Sequence, residues 1–124
     1  MAECMIIGAG GAIGAICRYL IGLAPLQPEN GFPVKTFFIN VIGSFVIGII
    51  AALAVKYNLN PGLVLFLKVG ICGGFTTFSS FALETAQLTE KGQTGVAVLY
   101  VVLSIAAGIT AVLLADKIIV QGRV

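Results

Sequence analysis

Gly70-Ile71-Cys72-Gly73-Gly74-Phe75-Thr76-Thr77-Phe78-Ser79-Ser80-Phe81 sets glycines, hydroxyls and aromatic rings into an otherwise apolar run that starts at Asn60-Pro61 and reaches about Leu88. A glycine in a helix interior costs about 1 kcal/mol relative to alanine. Serine and threonine favour helix N-caps. The Gly73-Gly74 pair followed by Thr76-Thr77 therefore predicts two half-helices with a break around residues 73–77. A break frees carbonyls at the end of the first half and N–H groups at the start of the second. Hydrocarbon satisfies neither, so the break must face protein, water or an ion. Freed N–H groups favour anions and freed carbonyls favour cations. The plainer reading of the glycines is a close helix crossing.

The rest of the chain places this stretch in a membrane. Of 124 residues, 59% are apolar and 10% charged, against about 45–50% and about 25% in ordinary soluble domains. Mean hydropathy is +1.11. Seven Lys/Arg and five Asp/Glu cannot cover the surface of so small a soluble protein. This excludes a disordered chain, a nucleic-acid-binding domain and a typical soluble enzyme. The net charge of +2 implies no acidic partner. There is no histidine, and the three cysteines (Cys4, Cys17, Cys72) stand apart in apolar sequence with no metal-binding spacing. They read as small packing residues.

Four stretches are long enough to cross a bilayer, which takes about 20 mostly apolar residues. They run from about Cys4 to Leu26, Pro33 to Tyr57, Asn60-Pro61 to Leu88, and Gly95 to Ile119. The first lacks the basic start and cleavage site of a signal peptide, so it reads as a retained span. Asn60-Pro61 suits an N-cap and first helical position. The four spans use nearly the whole chain, which makes residues 1–124 one domain with no soluble part. Flanking cations orient membrane helices. Lys56, Lys117 and Arg123 lie on one side and Lys35 and Lys91 on the other. This bias is so slight that insertion in both orientations is an open alternative.

The helices carry small residues and polar stripes. Gly10, Gly14 and Arg18 recur every four positions in the first span, and such spacing lets backbones approach closely. Gly8 to Gly14 does not make a dinucleotide loop, because the third glycine is misplaced and no strand precedes it. In the second span Thr36, Asn40, Ser44 and Gly48 form one stripe, and Tyr100, Ser104 and Gly108 form another in the fourth. Hydroxyls can serve as interhelical glue or line a path for a polar solute. Asn40 argues for the path, since an amide near mid-membrane is costly without partners. Phe75, Phe78 and Phe81 alternate with Thr76, Thr77, Ser79 and Ser80. Aromatic edges are positive and can line an anion path without binding the ion tightly. Arg18 and Lys68 lie inside spans, either snorkelling to the interface or lining a wet vestibule. Glu84 follows Phe81 by three and could fix a hydroxyl or a lysine, with no firm role. Four short helices cannot both enclose a pore and bury every polar stripe. The chain is therefore expected to form a dimer or larger assembly, antiparallel if both orientations insert.

Gly10-Gly11-Ala12-Ile13-Gly14-Ala15-Ile16-Cys17-Arg18-Tyr19, Phe38-Ile39-Asn40-Val41-Ile42-Gly43-Ser44-Phe45 and Gly73-Gly74-Phe75-Thr76-Thr77-Phe78-Ser79-Ser80-Phe81 occur in that order. In this the chain resembles the small fluoride channels called Fluc or CrcB over essentially its whole length. The resemblance implies an all-α membrane protein with four transmembrane helices per subunit, the third broken at mid-membrane, assembled as an antiparallel dual-topology homodimer. It implies passive export of fluoride across a plasma (inner) membrane through two pores, each lined by both subunits. Asn40, Phe78 and Phe81 match pore-lining residues of the family, joined here by Thr77 and Ser79. Tyr100 and Ser104 fit polar positions of the fourth helix, whereas Gly108 stands where some members have serine. The break would hold a structural sodium ion at the centre of the dimer, through the backbone carbonyls of Gly73 and Thr76. Arg18, and with it Lys68, would sit at the vestibule. Without the resemblance the residues indicate only an ion path, of anionic character, with no enzyme chemistry and no nucleotide. Two rivals stand beside it: a proton-coupled carrier of the small multidrug type, for which Glu84 is the available carboxylate, and a non-transporting membrane subunit.

Overall fold

The computed structural model describes residues 1–122. Arg123, counted above among the flanking cations, lies outside the described residues. The apolar runs fold into helices because only helices satisfy every backbone group within lipid from a single segment. These are α1 (Ala2–Gly22), α2 (Val34–Tyr57), α3 (Pro61–Val64), a π-helical segment (Leu65–Cys72), α4 (Gly73–Phe75), α5 (Phe78–Glu90) and α6 (Thr94–Gln121). Four segments are long and apolar enough to cross a membrane: Ala2–Gly22, Val34–Tyr57, Pro61–Glu90 and Thr94–Gln121. The chain is an all-helical multi-pass membrane protein, as its hydropathy requires.

The span ends follow local chemistry. Asn60 caps α3, its Oδ1 accepting from the N–H groups of Gly62 (2.8 Å) and Leu63 (3.3 Å), with Pro61 at the start. Asn58 ends α2 in the left-handed conformation at φ 49°. Two helix C-termini are closed by lysines. Lys35 Nζ donates to the Gly22 carbonyl at 2.8 Å, and Lys56 Nζ donates to Ile119 (2.7 Å) and Gly122 (2.9 Å). Both ammonium groups meet carbonyls that the helices leave free, at the negative end of the helix dipole.

α2 lies along α6, while α1 packs on the π-helical segment and α4. The second contact depends on glycine. A Cβ on Gly14 would run into the Ile71 carbonyl, and one on Gly74 into the Gly11 backbone. This corrects one sequence expectation. Gly73 is helical (φ −64°, ψ −38°), and α4 includes Gly74. The backbone leaves helical geometry only at Thr76 (φ −76°, ψ 157°) and Thr77 (φ −150°, ψ 113°). Gly74 serves the crossing with α1, so the plainer reading holds for it. The threonines, whose hydroxyls can bond locally outside a helix, carry the change of direction. Gly43 on α2 leaves the room that the Thr76 methyl occupies. The π-helical turns before them had no signal in the sequence.

Around Tyr100, which is 0% exposed, the rings of Phe32 and Phe81 pack at 5.3 and 5.1 Å between centroids. With Leu88 and Ala97 they tie α5 and α6 to the chain entering α2.

Gly14→Val drives two methyls into backbone that cannot rotate away, so it lowers stability by at least the ~1–3 kcal/mol of an overpacked core. Gly95→Ala meets open space and leaves stability unchanged or raised. Thermal unfolding of the two detergent-solubilised variants, followed by loss of the monodisperse peak, checks the contrast.

Candidate functional site

The extended backbone at Thr76-Thr77 releases groups that a helix would pair internally. Asn40, half-buried on α2, takes two of them. Its Oδ1 accepts from the Thr77 N–H at 2.8 Å, and its Nδ2 donates to the Thr77 carbonyl at 3.1 Å. A helical Thr77 N–H would instead have bonded the carbonyl of Gly73, four residues back. The Gly74 carbonyl, likewise without its helical donor, accepts from Arg18 Nε at 3.1 Å. Thr77 Oγ1 caps α5 by accepting from the Ser80 N–H at 3.1 Å, which takes that donor from the Thr76 carbonyl. Thr76 Oγ1 turns back to Cys72 O at 2.9 Å.

Beside this junction lies a cavity of about 370 Å³. Its polar lining comes from Asn40 and Ser44 on α2, Thr76 and Thr77, and Ser104 on α6. Phe78 and Phe81 complete it, with ring centroids 5.7 Å apart. Ser104 Oγ is buried and has no hydrogen-bond partner among the described residues. Phe78 is 80% exposed in the single chain, so its ring is available to whatever lies beyond the cavity.

Of the residues singled out from the sequence, Asn40, Thr77, Phe78, Phe81 and Ser104 meet at this cavity. Thr76, read from the sequence both as part of the aromatic–hydroxyl surface and as a backbone-carbonyl ligand, also lines it. Ser79 is exposed beside it, its Oγ 3.4 Å from Thr77 Oγ1. Tyr100 does not line this cavity; its hydroxyl donates to Glu84 Oε2 at 2.7 Å. Arg18 lines a second cavity, with Lys35, Thr36, Thr77, Ser80 and Glu84. Lys68 is exposed on the π-helical segment and lines neither of these cavities.

Of the two kinds of partner open to Glu84, a hydroxyl or a lysine, it takes hydroxyls, whose identity the sequence left open. Thr36 Oγ1 donates to Glu84 Oε1 at 2.6 Å while Tyr100 holds the other oxygen. Thr36 is 7% exposed. A signal was present. Thr36 and Tyr100 head the two polar stripes, and Glu84 follows Phe81 by one helical turn.

Residues 5–115 match the family model described as CrcB-like protein, Camphor Resistance (CrcB). The chain belongs to the CrcB family. This CrcB chain is 42% identical over 111 residues to a protein of Azobacteroides pseudotrichonymphae described as "Fluoride-specific ion channel FluC", covering 88% of this chain and 89% of the relative. Proteins of the same description from Rhizobium meliloti (43% over 114 residues, 90% and 91% covered) and Chlorobaculum tepidum (44% over 110 residues, 88% and 87% covered) are as similar. The match runs across all four spans of this CrcB protein, the cavity included.

Asn40→Ala strands both the N–H and the C=O of Thr77, and each stranded group costs about 1–3 kcal/mol. Ser104→Ala removes a hydroxyl that has no partner to lose, so stability changes by less than ~0.5 kcal/mol. Chemical unfolding in detergent is expected to separate the two variants by this margin.

Proposed function

We propose that this protein is a fluoride channel of the plasma membrane that lets fluoride leave the cell passively, and that the cavity between α2, α5 and α6 is part of its conduction path. The observation that carries the reading is the whole-span likeness to fluoride-specific channels, at 42–44% identity. The chemistry of the cavity supports it. Fluoride is small and strongly hydrated, so its path must offer donors in place of water. The hydroxyls of Ser44 and Ser104, the second N–H of the Asn40 amide and the edges of Phe78 and Phe81 are such donors. A path rich in donors disfavours larger, weakly hydrated halides.

The assembly belongs to the same proposal. The chain functions as an antiparallel homodimer inserted in both orientations, with two pores lined by both subunits. Support comes from the polar groups a single chain leaves open within its third span, among them the exposed Gly73 and Ser79. A bilayer would not solvate them, and a second copy could. The near balance of flanking lysines is compatible with either orientation. We place the interruption of the third span at mid-membrane, where the residues around Thr76-Thr77 meet their counterparts.

A structural sodium ion fits this junction. No group of three or more Cys, Asp or Glu side chains among the described residues could hold a metal, and we assign the ligands to backbone oxygens. The carbonyls of Gly73 and Thr76 are suited, because their helical donors are committed elsewhere, to Asn40 Oδ1 and Thr77 Oγ1. When bound, the ion supplies positive charge that neutralises the freed carbonyls of both subunits.

In liposomes holding purified protein, fluoride efflux is expected to be fast and chloride efflux absent. A pH gradient leaves it undriven. Asn40→Ala and Phe81→Ile each slow fluoride by roughly tenfold or more, the factor that corresponds to about 1.4 kcal/mol of barrier. Accumulation driven by the pH gradient would instead identify a coupled carrier, and the absence of flux would identify a non-transporting subunit. Replacing sodium by N-methylglucamine is expected to lower the unfolding temperature, as loss of a ligand of the native state must. An unchanged temperature would remove sodium from the account.

A further inference from the structure

Two cavities meet at one lysine. Lys35, at the start of α2, lines both the cavity that holds Arg18 and a further cavity of about 370 Å³ formed with the α1–α2 loop and the end of α5. Thr36 and Glu84 line both as well, and Lys91 stands on the second. The Arg18 cavity in turn shares Thr77 with the conduction cavity described above. Shared lining residues thus link Asn40 and Thr77, through Thr36 and Glu84, to Lys35 and the loop.

A carboxylate on that line opposes an anion. Both oxygens of Glu84 accept hydrogen bonds, from Thr36 and Tyr100, which disperses its charge without cancelling it. Among the described residues no salt-bridged cation accompanies it: Lys35 Nζ is bonded to the Gly22 carbonyl at 2.8 Å. The ammonium therefore meets a helix end and not a carboxylate, is held in place by α1, and borders the same two cavities as Glu84. A fixed cation at a cleft raises the local anion concentration and the rate of entry.

We propose that Lys35 is the mouth residue of the fluoride path: an ammonium anchored on the C-terminus of α1 that draws fluoride past Glu84 into the line of hydroxyls. The proposal rests on the conduction path given above, and it differs in its signature. Loss of a path-lining donor slows conduction at every ionic strength. Loss of an attracting charge slows it only where charges are unscreened, since the screening length shrinks from about 30 Å at 0.01 M salt to about 3 Å at 1 M.

The test is fluoride efflux from neutral-lipid vesicles holding the full-length protein at fixed fluoride, with an impermeant background salt raised from about 0.01 to about 1 M. The variants are Lys35→Gln, which removes the charge, and Lys35→Arg, which keeps it. Lys35→Gln is expected to be about three- to tenfold slower at low salt and to converge on the parent at high salt, and Lys35→Arg to follow the parent throughout. Asn40→Ala, slow at all salts, reports on the path itself. The proposal is overturned if Lys35→Gln matches the parent at low salt, or if it is equally slow at every salt concentration. Loss of flux in Lys35→Arg to the level of Lys35→Gln also overturns it, because the lysine would then act only through its bond to α1.

Discussion

Two residues of non-helical backbone lie within a segment that hydrophobicity assigns to lipid, and the groups they release must find partners there. Thr76 and Thr77 create that demand. Asn40 answers it with a paired hydrogen bond to the Thr77 main chain, Arg18 with a bond to the Gly74 carbonyl, and Thr77 with its own hydroxyl. These bonds join α1, α2 and the third span at one place. Much of the rest follows from keeping that junction intact. α1 must approach closely enough for Arg18 to reach, which explains glycine at 14 and 74, and α2 must leave room for Thr76, which explains Gly43.

The same junction links architecture to ion chemistry. A helix consumes its own N–H and C=O groups, so it offers an ion little. Where its ladder is undone, the carbonyls of Gly73 and Thr76 lose their helical donors. Beside them the α2 amide and the hydroxyls of Ser44, Thr77 and Ser104 border a cavity open to an anion. Ser104 Oγ, buried with no partner among the described residues, leaves an unengaged hydroxyl at this cavity.

Much of this was legible in the sequence. The spans emerge within a few residues of their expected limits, because a bilayer imposes a length and a composition that short loops cannot mimic. The cluster of Asn40, Thr77, Phe78, Phe81 and Ser104 was legible because polar residues in lipid need a reason. The local backbone at Gly73-Gly74 was not legible. Gly73-Gly74 reads as a helix breaker by propensity, yet close contact between Gly74 and Gly11 lets tertiary packing override it. Also hidden were the pairings of Glu84 with Thr36 and Tyr100, and of Lys35 with Gly22. Such contacts join residues on different helices, and helical periodicity says which residues share a face but not which faces meet.

The most direct measurement is solid-state NMR of uniformly labelled protein in lipid bilayers. The account predicts extended-type Cα and Cβ shifts at Thr76 and Thr77 between helical neighbours, with a cross-peak between the Thr77 amide and the Asn40 side chain. Helical shifts continuing through both threonines, with Asn40 showing contacts only to lipid chains, would contradict it.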